Sequence, residues 1–143
     1  MNFEDWIIPK LNNLPDQREA LDNIPREIHA LEARMEVLKS VGADLTKKKV
    51  SKEGEELLSC ALERDQLASN LKVIREEIAV LEGALAALAP EERLSLERLY
   101  IHRRPDSMKA LCSELDLEER QANELKWRAL IRLARKMFGI VSL

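Results

Sequence analysis

Residues 107–130 read SMKALCSELDLEERQANELKWRAL, and their phasing decides how the C-terminal part of the chain folds. Leu111 and Leu115 share one helical face, Asp116 and Leu117 interrupt it, and Ala122, Leu125, Ala129 and Leu133 then recur by threes and fours. The pattern predicts helices over Ser107 to Leu115 and Glu118 to about Gly139, joined by a turn of about three residues. A third helix, Pro90 to about His102, precedes them and turns Leu96, Leu99 and Tyr100 inward. Its loop to the next helix, Arg103 to Asp106, ends on an acid placed to cap that helix. So short a turn between two apolar-faced helices is the signature of a helix-turn-helix.

Upstream, Pro90 closes the preceding helix and suits the first turn of a new one, which Glu91 and Glu92 favour through the helix dipole. Before it, Leu57, Cys60, Arg64, Leu67, Leu71, Ile74, Ile78, Leu81, Leu85 and Leu88 repeat by threes and fours, a heptad seam broken only at Arg64. At 1.5 Å per residue, a helix from Glu55 to Leu88 would be about 50 Å long. A seam of that length must be covered by the first helix, by a second copy of the chain, or by both. Gly42 to Gly54, with its glycines and Lys47, Lys48 and Lys49, reads as the turn leading into it. Ahead of that turn, Leu14, Leu21, Ile24, Ile28, Leu31, Met35 and Leu38 form the opposing seam, with a break or kink expected at Pro25. Phe3, Trp6, Ile7 and Leu11 mark a short opening helix that packs on something longer. The expected fold is therefore all-α: an N-terminal antiparallel helical hairpin, coiled-coil-like, over residues 1–89, followed by a C-terminal three-helix helix-turn-helix domain over residues 90–143.

Composition agrees with helices: hydrophobic residues are 45% and charged residues 34%, while aromatics are only 3%. No apolar run is long enough to span a membrane and no basic signal region opens the chain, so a cytoplasmic location is expected. Cys60 and Cys112 lie far apart and His29 and His102 have no ligand-spaced neighbour, which predicts no disulfide, zinc or other metal site. Neither a phosphate-cradling glycine loop nor a nucleophile with a paired histidine is present, so neither an enzyme nor a cofactor or small-molecule substrate is expected. The net charge of −3 hides a gradient, net −5 over residues 1–89 and net +2 over residues 90–143. Lys126, Arg128, Arg132, Arg135 and Lys136 form an acid-free stretch, either a solvated basic face or a nucleic-acid contact.

With Glu92-Arg93 and Leu99-Tyr100-Ile101 before it, the 107–130 segment resembles the fourth-region helix-turn-helix of bacterial sigma factors. It resembles more closely the sigma-like late transcription regulators of bacteriophages, the ArpU and RinA type. Ser107, Leu111, Cys112, Glu114, Leu115, Asp116, Leu117, Arg120, Arg128, Ala129 and Leu130 occupy the places of that pattern. The N-terminal half is also similar to prophage proteins of this group. The resemblance implies a phage or prophage regulator that binds double-stranded DNA and contacts RNA polymerase, while the long apolar seam predicts a homodimer or higher oligomer. Two departures stand out. Asp116 replaces the usual turn glycine, which Asp tolerates because it visits left-handed geometry more easily than most residues. Glu118 and Glu119 stand where the recognition helix should begin with a Ser/Thr cap and basic or neutral residues, and each carboxylate near a duplex opposes phosphate binding.

The DNA-binding candidates are Arg103, Arg104, Lys109, Glu119, Arg120, Gln121, Asn123, Glu124, Lys126 and Arg128, with Glu119 or Glu124 able to read cytosine N4. Trp127, Ile131 and Phe138 form an outward apolar line on the last helix, expected to pack on a second protomer or on the hairpin. Together with Leu67, Leu71, Ile74, Ile78 and Leu81 they are the oligomerisation candidates. The competing class is a coiled-coil scaffold or packaging protein whose helix-turn-helix no longer binds DNA.

Overall fold

The structure, a computed structural model, describes residues 2–44 and 52–139. It is all-helical, with no strand among the described residues. In chain order the helices are α1 (Glu4–Asp44), α2 (Lys52–Ala86), α3 (Pro90–Leu96), α4 (Ser107–Leu115) and α5 (Glu119–Phe138), with a π-helical turn, Glu97–Ile101, extending α3.

The chain divides into two compact units, one of residues 1–17 with 77–143 and the other of Arg18–Glu76. Ala89 and Pro90, where the sequence places its boundary, lie within the first unit. In the second unit Met35, Leu38 and Cys60 form a buried cluster, with Leu31, Leu57 and Ala61 packed against it. Arg34 Nη2 meets Glu56 Oε1 at 2.9 Å beside that cluster. Late residues of α1 thus meet early residues of α2. Arg64, the polar interruption of the seam, keeps its stem half-buried and turns its guanidinium to Asp65 at 3.2 Å and to the Met35 sulfur at 3.8 Å. A long basic side chain can cover apolar surface in this way while its head stays wet.

The sequence reading is corrected at three points. A separate opening helix and a break at Pro25 do not occur: α1 runs uninterrupted through Pro9, Pro15 and Pro25. Each proline forfeits one backbone hydrogen bond, yet Leu21, Ile24, Ile28 and Leu31 on either side of Pro25 stay in phase and half-buried. A break there would take one pair or the other off the seam. The turn is also shorter than Gly42 to Gly54, since α1 reaches Asp44 and α2 starts at Lys52. The lysines at 47–49 lie outside the described residues. Finally, the helix predicted to run to His102 widens into the π-turn, in which the His102 N–H donates to Glu97 O at 2.7 Å.

In the first unit Ile7, Leu11 and Leu14 of α1 are fully buried, as are Leu96, Leu111, Leu130 and Leu133. Ile78, Leu81, Leu85 and Leu88 supply further buried side chains. Each such leucine or isoleucine contributes about 1.5–3 kcal/mol on leaving water. Both phenylalanines and both tryptophans of the chain meet in this unit. Phe3 lies edge-on to Trp127 with ring centroids 6.3 Å apart, and Trp6 edge-on to Phe138 at 5.7 Å. At the α2–α3 junction, Ala87 and Leu88 donate to Ala84 and Leu85 carbonyls, Ala89 is extended, and Pro90 opens α3.

Candidate nucleic-acid interface

The geometry of the candidate interface follows from how α4 and α5 are joined. Leu99, Leu111 and Ala122 form a buried cluster, with Tyr100, Met108, Cys112 and Leu115 packed against it. Asp116 ends α4 in the left-handed conformation at φ 53°, and the Leu117 N–H returns to Cys112 O at 2.9 Å. This is the hydrogen-bond pattern with which glycine usually closes a helix, so Asp116 fills the glycine role as the sequence suggested. Glu118 is extended, and its N–H donates to Gln121 Oε1 at 2.9 Å, which fixes the start of α5.

Ala122, Leu125, Ala129 and Leu133 are buried as their phasing predicted. The opposite face of the opening turns stays open. Arg120 is 88% exposed and Glu124 67%, joined by an ion pair at 3.4 Å; Glu119 and Gln121 are exposed and Asn123 is half-buried. Arg103, Arg104 and Lys109 are exposed as well, while Lys126 is partly buried with its Nζ 5.5 Å from the centre of the Trp127 ring. Lys109 and Glu119 border one shallow depression with Pro105 and Met108.

One cap differs from expectation. Asp106 makes no side-chain cap bond, because its backbone (φ −99°, ψ 14°) is not the extended form that aims an N-cap side chain at the helix. The neighbouring Ser107, only 7% exposed, closes the loop instead: its Oγ accepts the Arg104 N–H at 2.6 Å, and its own N–H donates to Arg104 O at 3.0 Å.

Glu92 is the polar residue that sequence reasoning passed over. Read as a favourable charge at a helix start, it is in fact a carboxylate 3% exposed. Its Oε1 accepts the Ala89 N–H at 3.0 Å and faces Arg132 Nη1 at 3.3 Å, while Oε2 lies 3.6 Å from Arg128 Nε and has no hydrogen bond. Arg128, a DNA candidate, is thus partly engaged with α3 although its side chain is 60% exposed. Signals for this pairing did exist: Arg128 and Arg132 are one helical turn apart, on the flank of the core face. Arg98 and Glu114 pair bidentately at 3.0 and 3.4 Å, which holds the π-turn to α4 and raises the Arg98 pKa, mainly through that hydrogen bond and then through the Glu114 charge. The Tyr100 hydroxyl has its pKa raised, first by burial and then by the Glu4 charge, with Arg103 opposing.

Among the oligomerisation candidates, Leu71, Ile78 and Leu81 are buried within the chain, and Leu67, Ile74 and Ile131 are half-buried. Trp127 and Phe138 remain 40% and 37% exposed, the first in a T-shaped contact with Phe3, just before α1, and the second with Trp6 in its first turn. Among the described residues no cluster of His, Cys, Asp and Glu suits a metal ion, and no helix is long and apolar enough to cross a membrane. Comparison of the chain with protein-family models, with curated proteins and with solved structures found no match.

Proposed function

We propose that this chain is a sequence-specific DNA-binding transcriptional regulator of phage or prophage type, in which α4 and α5 act as a helix-turn-helix and α5 is the recognition helix. The observation that carries the reading is the split of α5's opening turns: Ala122 and Leu125 are buried, while Arg120, Gln121 and Glu124 on the same turns are exposed. A recognition helix needs this division, with one face anchored and its N-terminal residues free to reach base edges in the major groove. Arg103, Arg104, Lys109 and Lys126 supply cations for the phosphates on either side.

The regulator works as a dimer in this proposal, formed through the antiparallel hairpin of α1 and α2. Support comes from the seam of the second unit, where Leu21, Ile24, Ile28, Leu31, Leu57, Leu67 and Ile74 are only half-buried, and from Leu58 and Leu62 off that seam, each 62% exposed. A second copy would take that surface out of water, and two recognition helices about 34 Å apart would meet successive major grooves. The scaffold reading is favoured by a different observation: Arg120 and Arg128 both already face carboxylates, Glu124 and Glu92. Selection of bound fragments from a library of random duplexes separates the two. Enrichment of a two-fold repeated motif, lost on Arg120→Ala with Asn123→Ala, is the regulator's result, and recovery of unenriched sequence is the scaffold's.

A further inference from the structure

Between the end of the π-turn and the start of α4 the surface dips into an open cavity of about 240 Å³. Its apolar lining is Leu99, Pro105 and Met108, and its polar lining consists of Tyr100, Arg103, Arg104, Ser107 and Lys126. No carboxylate lines it. The functional groups of that wall are donors almost throughout. Neither guanidinium has an ion pair or hydrogen bond among the described residues, and the Lys126 ammonium faces only the Trp127 ring. The Tyr100 phenol makes no hydrogen bond there either. Ser107 Oγ uses its acceptor capacity on the Arg104 N–H, which leaves its own hydrogen to give. A concave wall with up to three cations and two hydroxyl donors is matched by a compact oxyanion that accepts from several directions at once; Asp106 lies in the adjoining depression beside Arg104 and the Glu4 charge reaches Tyr100, but both carboxylates stay outside the lining.

We propose that this cavity is a phosphate-binding site, in which Arg103, Arg104 and Lys126 neutralise one phosphate while the Tyr100 and Ser107 hydroxyls hydrogen-bond its oxygens. The proposal deepens the DNA-binding reading and rests on it for the source of the phosphate, a backbone diester of the duplex beside the recognition helix. The chemistry itself is shared with a free phosphate ester. The site explains two features that helix-turn-helix geometry leaves aside. The loop is held by the buried Ser107, so Arg103 and Arg104 leave a fixed backbone, and Lys126 is partly buried with its ammonium over the Trp127 ring, unlike the exposed Arg120.

The test measures DNA affinity by fluorescence anisotropy across a series of salt concentrations for the full chain and for Arg103→Ala, Arg104→Ala and Lys126→Ala. Circular dichroism melting confirms that each variant folds, and Arg103→Lys serves as the conservative control. Each alanine should weaken binding about equally on all sequences and reduce the slope of log K against log salt by about 1. A duplex carrying one neutral methylphosphonate at the contacted linkage should bind wild type more weakly but Arg103→Ala no more weakly than the unmodified duplex does. Slopes unchanged in all three alanine variants, with DNA still bound, overturn the phosphate site and leave the DNA-binding reading standing. If wild type binds no duplex even at low salt, inorganic pyrophosphate is the second probe, followed by NMR of the arginine Nε and Tyr100 signals. Saturable shifts, absent in Arg103→Ala, then support the site as one for a free phosphate ester while the DNA reading fails; no shifts overturn both.

Discussion

Replacing Glu92 tests whether the buried carboxylate of α3 holds the position of α5. Glu92→Ala removes three things at once: the acceptor for the Ala89 N–H at 3.0 Å, and the partners of Arg132 at 3.3 Å and Arg128 at 3.6 Å. A hydrogen bond to a buried charged acceptor is worth about 1.5–3 kcal/mol. The two arginines are 54% and 60% exposed, so water screens their side of each pair, and together they add only about 0.5–1 kcal/mol. A negative charge in the first turn of α3 contributes about 0.3–1 kcal/mol through the helix dipole. The alanine variant should therefore lose about 3 kcal/mol of stability. Glu92→Gln keeps an oxygen for the Ala89 N–H and should lose about half of that. Urea unfolding followed by circular dichroism measures both, provided the slopes m remain equal. An alanine variant within about 0.5 kcal/mol of wild type would refute the assignment of Glu92 as an anchor. A glutamine variant as unstable as the alanine one would show that charge, and not the hydrogen bond, dominates.

Other outcomes follow from the same contacts. Asp116→Val should cost about 1–2 kcal/mol because a β-branched residue fits the left-handed turn poorly, whereas Asp116→Gly should be neutral or slightly stabilising; thermal melts read both. Trp6→Ala removes an edge contact with Phe138 and, since Trp6 is already 43% exposed, should cost about 1–2 kcal/mol in urea titration. The raised pKa of Tyr100, the chain's one tyrosine, means that the folded state holds its proton where the unfolded state has lost it. Its stabilising contribution is complete below the ordinary tyrosine value of about 10 and is lost as pH rises from there through the folded pKa. Phenolate absorbance should consequently titrate at lower pH in urea than in buffer, and Tyr100→Phe should flatten the alkaline fall in stability.

Periodicity made the helices legible, because burial on one face leaves a three-four spacing that survives in the sequence. Ala122, Leu125, Ala129 and Leu133 were all placed by it, and the left-handed Asp116 was legible only because it stands where the resembled pattern has a turn glycine. What escaped depended on contacts between distant residues. Pro25 resembles a helix start locally, and only the seam continuing in phase on both sides explains an uninterrupted α1. Glu92 looks like any acid in a first turn until α5 brings Arg128 and Arg132 to it. The outward line of Trp127 and Phe138 was visible, but not that Phe3 and Trp6, more than a hundred residues earlier, would each cover one edge. Among the interface residues, exposure of Arg120 and Glu124 followed from phase, whereas Asn123, placed outward by the same phase, is half-buried, and the engagement of Ser107 with the loop backbone depended on local geometry that spacing does not encode.

The claim on which the functional account stands is that the first turns of α5 are free to enter a duplex. Anisotropy of a labelled duplex pool titrated with the intact chain at low salt tests it most directly, repeated with Arg120→Ala combined with Asn123→Ala. The account predicts saturable binding that weakens steeply as salt rises, and loss of preference for selected over random duplexes in the double variant. Anisotropy that stays flat at every protein concentration, or a double variant that discriminates as well as wild type, would contradict it.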